Sequence, residues 1–196
     1  MQIVPYEVWV GLTGLVLAGC VLTGLWMRRK RWHRRRRLSA LLAREGWDTA
    51  PEAEDADWHW QGDWGRNRPS IVVLRPAAQV LELRVTSAVP LLEGGRWLVL
   101  PRSMCTPDTR AWPAAVAQLL QCPFLTCPAL PDHVLYSEGG AAPTPRVWQT
   151  LQRLGRDPRV RWAVYLDPHE GWARRIGARA DASWPEMRQL GRALIP

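Results

Sequence analysis

The stretch Val8–Arg37, VWVGLTGLVLAGCVLTGLWMRRKRWHRRRR, sets the architecture of the 196-residue chain. Its first part, Val8–Met27, contains no charged side chain. At about 1.5 Å per residue these residues make a helix of about 30 Å, the thickness of a bilayer hydrocarbon core. Trp9 and Trp26 lie roughly 26 Å apart along such a helix, one at each headgroup boundary, with Tyr6 just outside. Its second part, Arg28–Arg37, carries eight positive charges (Arg28, Arg29, Lys30, Arg31, Arg34, Arg35, Arg36 and Arg37) and no acid. Basic residues crowd one flank only. The positive-inside rule therefore predicts a single-pass protein of the bacterial inner (cytoplasmic) membrane, its N-terminus outside and its C-terminal domain in the cytoplasm.

The formal charge of +8 belongs entirely to this segment, because the rest of the chain holds 18 basic and 18 acidic residues. A generally basic, nucleic-acid-binding body is thus excluded, and 47% hydrophobic content excludes a disordered polyelectrolyte. The expected polyanion is instead the bilayer with anionic headgroups, worth about 1 kcal/mol per basic residue near the surface. Arg outnumbers Lys 25 to 1, which points to a GC-rich bacterial coding sequence rather than to a function.

Leu17-Ala18-Gly19-Cys20 has the form of a lipoprotein processing site. A signal peptide, however, carries its positive charge before the apolar stretch, and here the charge follows it. An uncleaved anchor is the better reading. Within it Gly11, Gly14 and Ala18 share one helical face, and Cys20 and Gly24 make a second small-xxx-small pair, the spacing that lets another helix approach closely.

Beyond the membrane, Trp32, Leu38, Leu41 and Leu42 form an apolar stripe among arginines, and Gly46 is a stop signal. The sequence divides into a short outer tail (1–7), a transmembrane helix (8–27), a basic juxtamembrane helix (28–45), an acidic linker (46–57, GWDTAPEAEDAD) and a soluble domain (58–196).

In that domain the period shifts toward two. Residues 71–75 and 80–86 read as strands, the second with Leu81, Leu83 and Val85 on one face and Glu82, Arg84 and Thr86 on the other. Residues 97–100 after Gly94-Gly95, and the alternation at Trp58, Trp60 and Trp64, extend this to a meander of three or four strands. Residues 160–166, the loop DPHEG at 167–171 and residues 172–176 read as a hairpin. Residues 145–154 read as a helix with Thr144 as N-cap, Pro at the first turn and Gly155 past the end. Ser183-Trp-Pro-Glu186 is a capping box opening a last helix, and residues 112–121 form another. The predicted class is α+β, a mainly antiparallel sheet with about three helices on one of its faces.

Thirteen tryptophans against one phenylalanine need a place. Most fit core positions, while Trp58, Trp60 and Trp64, beside the linker, are candidates for a partner surface, since tryptophan is enriched in interface hot spots. Catalytic signatures are sparse. Cys105, Cys122, Cys127 and His133 have loose spacing for zinc and read better as small core residues. Asp167, His169 and Glu170 share one loop, a general-base constellation in form and equally a polar turn. Gly139-Gly140 lacks the strand–loop–helix context of a phosphate site. No HExxH, Walker loop, haem-attachment motif or internal repeat is present, so no metal and no cofactor is expected.

The function expected is a non-catalytic accessory, assembly or stabilising subunit of a larger bacterial membrane complex, of respiratory, photosynthetic or secretion type. Its partners would be lipid and other membrane-protein subunits, with no nucleic acid. Two rivals are a membrane-tethered ligand-sensing domain, which needs an apolar pocket, and a membrane-bound enzyme using the loop at 167–170.

Overall fold

The structure, a computed structural model, describes residues 6–49, 57–63, 69–75, 79–105, 112–126, 130–155, 161–177 and 183–194. The chain divides into two units, Met1–Arg37 and Leu38–Pro196. Helix α1, Tyr6–Arg44, supplies all the described residues of the first unit, and its last turns, from Leu38, belong to the second.

The second unit is built on nine strands among the described residues: β1 (Asp48–Thr49), β2 (Trp58–Asp63), β3 (Pro69–Arg75), β4 (Val80–Thr86), β5 (Arg96–Pro101), β6 (Phe124–Thr126), β7 (His133–Glu138), β8 (Arg161–Leu166) and β9 (Glu170–Ile176). They form one antiparallel sheet in the order β1-β2-β3-β4-β9-β8-β5-β7-β6. The predicted hairpin is real, with Leu166 opposite Gly171, and it sits between the β1–β4 meander and β5 rather than at the end of the sheet. Three further helices are α2 (Ala114–Leu119), α3 (Pro145–Leu154) and α4 (Trp184–Leu194). The class is therefore α+β, as the residue pattern indicates.

Strand alternation divides the core in two. Trp97, Val99, Trp162, Val164, Leu166 and Ala173 face α3, α4 and the end of α1. Leu98, Leu100, Ala163, Tyr165 and Trp172 face the opposite way, toward Val116 and Leu119 of α2. Helices thus cover both faces, a correction to the single covered face expected. The central strands are buried on both sides, so they carry no polar face from which a one-sided sheet could be told.

The boundary expected at residue 58 also moves. Leu38 and Leu42 are fully buried in the first core, together with Trp47, Trp60 and Trp184. Leu41 and Trp32, the other members of the predicted stripe, stay exposed, because at about 3.6 residues per turn they point well to the side of the Leu38–Leu42 direction that meets the core. Helix α1 ends with Gly46 at a φ of +82°, and Trp47 turns back over β2, where a Cβ on Gly62 would lie 2.8 Å from its ring. Asp48 and Thr49 then pair with Gln61 and Trp60. The segment 46–49 is folded chain rather than linker, and the remainder of the predicted linker up to residue 56 lies outside the described residues.

Polar contacts complete this junction. Trp60 Nε1 donates to Ser39 Oγ at 3.1 Å, Trp184 Nε1 to Glu45 Oε2 at 3.1 Å, and Arg188 Nη1 to Glu45 Oε1 at 2.7 Å. Trp47 meets Trp184 edge-on with ring centroids 5.6 Å apart. Leu38→Ala and Leu42→Ala are each expected to destabilise the folded unit by about 2–5 kcal/mol. Denaturant unfolding of the full chain measures this. A cost within about 0.5 kcal/mol, the size of a surface substitution, would restore the boundary to residue 58.

Candidate functional site

Taken by itself, the first unit has the surface of a membrane span. Helix α1 is long and apolar enough to cross a bilayer, and none of its apolar window is buried. Leu15 is 75% exposed and Leu22 67%, exposures that are unfavourable in water and neutral in lipid. Its two threonine hydroxyls are satisfied within the helix, Thr13 Oγ1 donating to Trp9 O and Thr23 Oγ1 to Gly19 O, both at 2.7 Å. Lipid supplies no partner for such groups, so the internal bonds matter. Trp9 and Trp26 are exposed at the two ends. Nothing lies within 4 Å of a Cβ placed on Gly11 or Gly14, and Ala18 is exposed, so this small-residue face is open.

At the basic end, Lys30 Nζ lies 4.7 Å above the Trp26 ring and the Arg36 guanidinium 4.0 Å from that of Trp32. In such contacts the negative face of the ring attracts the cation. Arg28, Arg29, Arg31 and Arg37 are exposed, and Arg34 and Arg35 half-buried.

The predicted partner tryptophans do not form a surface. Trp60 is 1% exposed and belongs to the core, which corrects its assignment: its place opposite Val72 turns it toward Leu38 and Leu42. Trp58 is half-buried against the same core, and Trp64 lies outside the described residues. An exposed apolar site appears instead at the edge strand β6, where Phe124 is 54% and Leu125 57% exposed. Nothing in the local pattern marks it, because an apolar pair in a three-residue strand reads as interior.

The loop at 167–170 is held as a turn. Asp167 Oδ1 accepts from the backbone N–H of His169 at 2.8 Å and of Glu170 at 2.6 Å, while Oδ2 accepts from Tyr165 Oη at 2.8 Å. Burial, and then that bond to Asp167, push the Tyr165 hydroxyl well above its ordinary value. Pro168 and His169 carbonyls accept from Leu91 and Ser87, latching the hairpin to the preceding segment. His169 and Glu170 are exposed. Cys105 and Cys122 pack against the second core, Cys105 Sγ donating to Pro101 O at 3.6 Å, and Cys127 lies outside the described residues. His133 is half-buried, and burial pushes its imidazole down against the opposing pull of Asp132 and a backbone hydrogen bond with Trp162.

The most concentrated electrostatics lie around Glu82, on the strand face expected to meet water. Its side chain is 0% exposed and is paired with Arg84, Arg174 and, at 3.1 Å, Arg75. Arg75 also reaches Asp57 at 2.9 Å. The Arg174 guanidinium stacks 4.3 Å from Trp172, and Trp112 lies parallel to Trp172 at 6.1 Å. Burial acts to raise the Glu82 carboxyl, but Arg174, Arg84 and Arg75 outweigh it and hold it below its ordinary value. These partners come from three strands, so the sequence pattern, which is local, pairs Glu82 only with Arg84.

No family model and no curated protein matches the sequence. Among solved structures the fold is similar to that of the mycobacterial trehalose monomycolate transport factor A, TtfA, with a TM-score of 0.54 at 13% identity over 82% of this chain and 95% of that one. The likeness is one of fold.

Glu82→Gln is expected to cost about 3–5 kcal/mol, since it leaves three guanidinium groups short of their counter-charge. A depressed carboxyl stabilises above its unfolded value of about 4.3 and loses that contribution as pH falls through the folded value. Acid unfolding of the parent chain should therefore be steeper below about pH 4.3 than that of Glu82→Gln. Parallel pH profiles would show that the cluster holds no such charge.

Proposed function

We propose that the protein is a membrane-anchored, non-catalytic accessory or assembly subunit of a larger bacterial membrane complex, with its C-terminal unit in the cytoplasm. The observation that carries this reading is the exposed apolar span of α1 followed directly by eight basic residues. Such a helix inserts with its basic flank retained on the cytoplasmic side. The open face of Gly11, Gly14 and Ala18 suits contact with another transmembrane helix, and the exposed Phe124 and Leu125 suit a second contact outside the bilayer.

Two further features support the reading. Of the loop side chains that looked catalytic in sequence, Asp167 is engaged in holding a turn. The fold likeness to a transport factor favours a role beside a membrane transport or export assembly over the respiratory and photosynthetic alternatives. The basic residues add attraction to anionic headgroups, and no cofactor is needed for any of this.

Mild solubilisation of native membranes tests the reading. The chain should migrate in a complex well above its own 22.3 kDa. Phe124→Asp with Leu125→Asp should release it from that complex while thermal unfolding stays unchanged, since both side chains are already exposed. Migration at monomer size for the parent chain would contradict the proposal.

A further inference from the structure

A cavity of about 310 Å³ opens in the second unit between the loop before β5, strand β8 and the facing ends of α3 and α4. Its wall is made by Leu91, Trp97, Val147, Leu166 and Leu194. The exposed Ala142 and Arg146 also line it and so mark its mouth. Ligand sites begin at about this size, and apolar walls with a few convergent polar groups are their usual chemistry. A methylene occupies about the same ~30 Å³ as a water molecule, so the cavity holds on the order of ten carbons of an alkyl chain.

Of the polar side chains on the lining, Thr144 is engaged as the cap of α3, its Oγ1 accepting from Val147 N at 3.4 Å, which leaves two donors. Trp97 Nε1 is buried with no hydrogen-bond partner among the described residues, although a buried donor ordinarily has one. Arg146 carries a guanidinium with no ion pair among the described residues, and no acidic side chain lines the space. An unpartnered indole N–H and a guanidinium beside an apolar hollow suit a ligand with an alkyl body and acceptor oxygens.

We propose that this cavity binds the alkyl chain of a fatty acyl carboxylate, with Arg146 pairing the carboxylate at the mouth. The membrane is the natural source of such a ligand. The proposal goes beyond membership of a complex and does not depend on it.

The test uses the full chain in nanodiscs and a twelve-carbon fatty acid bearing a terminal diazirine, irradiated and mapped by peptide mass spectrometry. Adducts are expected on the peptides holding Leu91–Trp97 and Val147. Ala142→Trp, at an exposed position, should cut that yield about tenfold by closing the mouth, a change equivalent to a tenfold loss of affinity. Labelling of the Gly11–Met27 helix by lipid-dissolved probe should persist and serve as the internal reference. Arg146→Glu should lower labelling by the acid about tenfold and leave the methyl ester of the same probe unaffected. Adducts confined to Gly11–Met27, cavity adducts indifferent to Ala142→Trp, or equal losses for acid and ester would each overturn the proposal. Should Ala142→Trp unfold the domain, the acid-against-ester comparison in Arg146→Glu still decides it.

Discussion

Leu38 and Leu42 have no contact with solvent, although they stand on a helix whose earlier turns leave almost every apolar side chain exposed. Along α1 the side chains pass from those suited to lipid, through arginines suited to headgroups and water, to a leucine pair that completes a protein core. Removing the pair would open a cavity against Trp60 and Trp184 and leave the Ser39 and Glu45 contacts without support. The folded unit and the end of α1 are therefore specified together. The acidic chain after Gly46 contributes its first residues to the sheet rather than merely spacing two independent parts.

Further into the unit, Glu82 does for the sheet what the leucines do for the helix. Its carboxylate lies on the face of β4 and gathers arginines from β3, β4 and β9, so the meander and the inserted hairpin share one electrostatic centre. An arginine stacked on Trp172 lets the charge sit beside apolar rings without losing its hydrogen bonds. Buried ionic groups of this kind seldom add much net stability, yet breaking them is costly, and they disfavour strand registers that would leave the carboxylate unpaired.

Where periodicity is local, the sequence states the structure closely. The strand at Val80–Thr86, the helix at Pro145–Leu154 with its Thr144 cap, and the DPHEG hairpin all appear as read. The departures come from contacts between distant segments. Trp60 looks like a surface candidate until β3 and α1 close over it, and β7 is hard to read because Val134, Leu135 and Tyr136 are buried on both faces and show no alternation. Glu82 sits in an alternating strand whose polar side reads as solvent-facing, whereas its actual neighbours are brought in by β3 and β9. Of the candidate sites, the long apolar helix with its basic flank is legible in residues 8–37, while the β6 edge and the cavity at Trp97 are products of the fold alone.

The proposed role requires α1 to be a true anchor with its basic flank in the cytoplasm. Single-cysteine labelling tests this directly, using a cysteine-free background and a membrane-impermeant maleimide on intact spheroplasts. Gln2→Cys should react before permeabilisation, and Glu93→Cys, at an exposed position of the second unit, only afterwards. Reaction of Glu93→Cys in intact spheroplasts, or recovery of the chain in the soluble fraction, would contradict it.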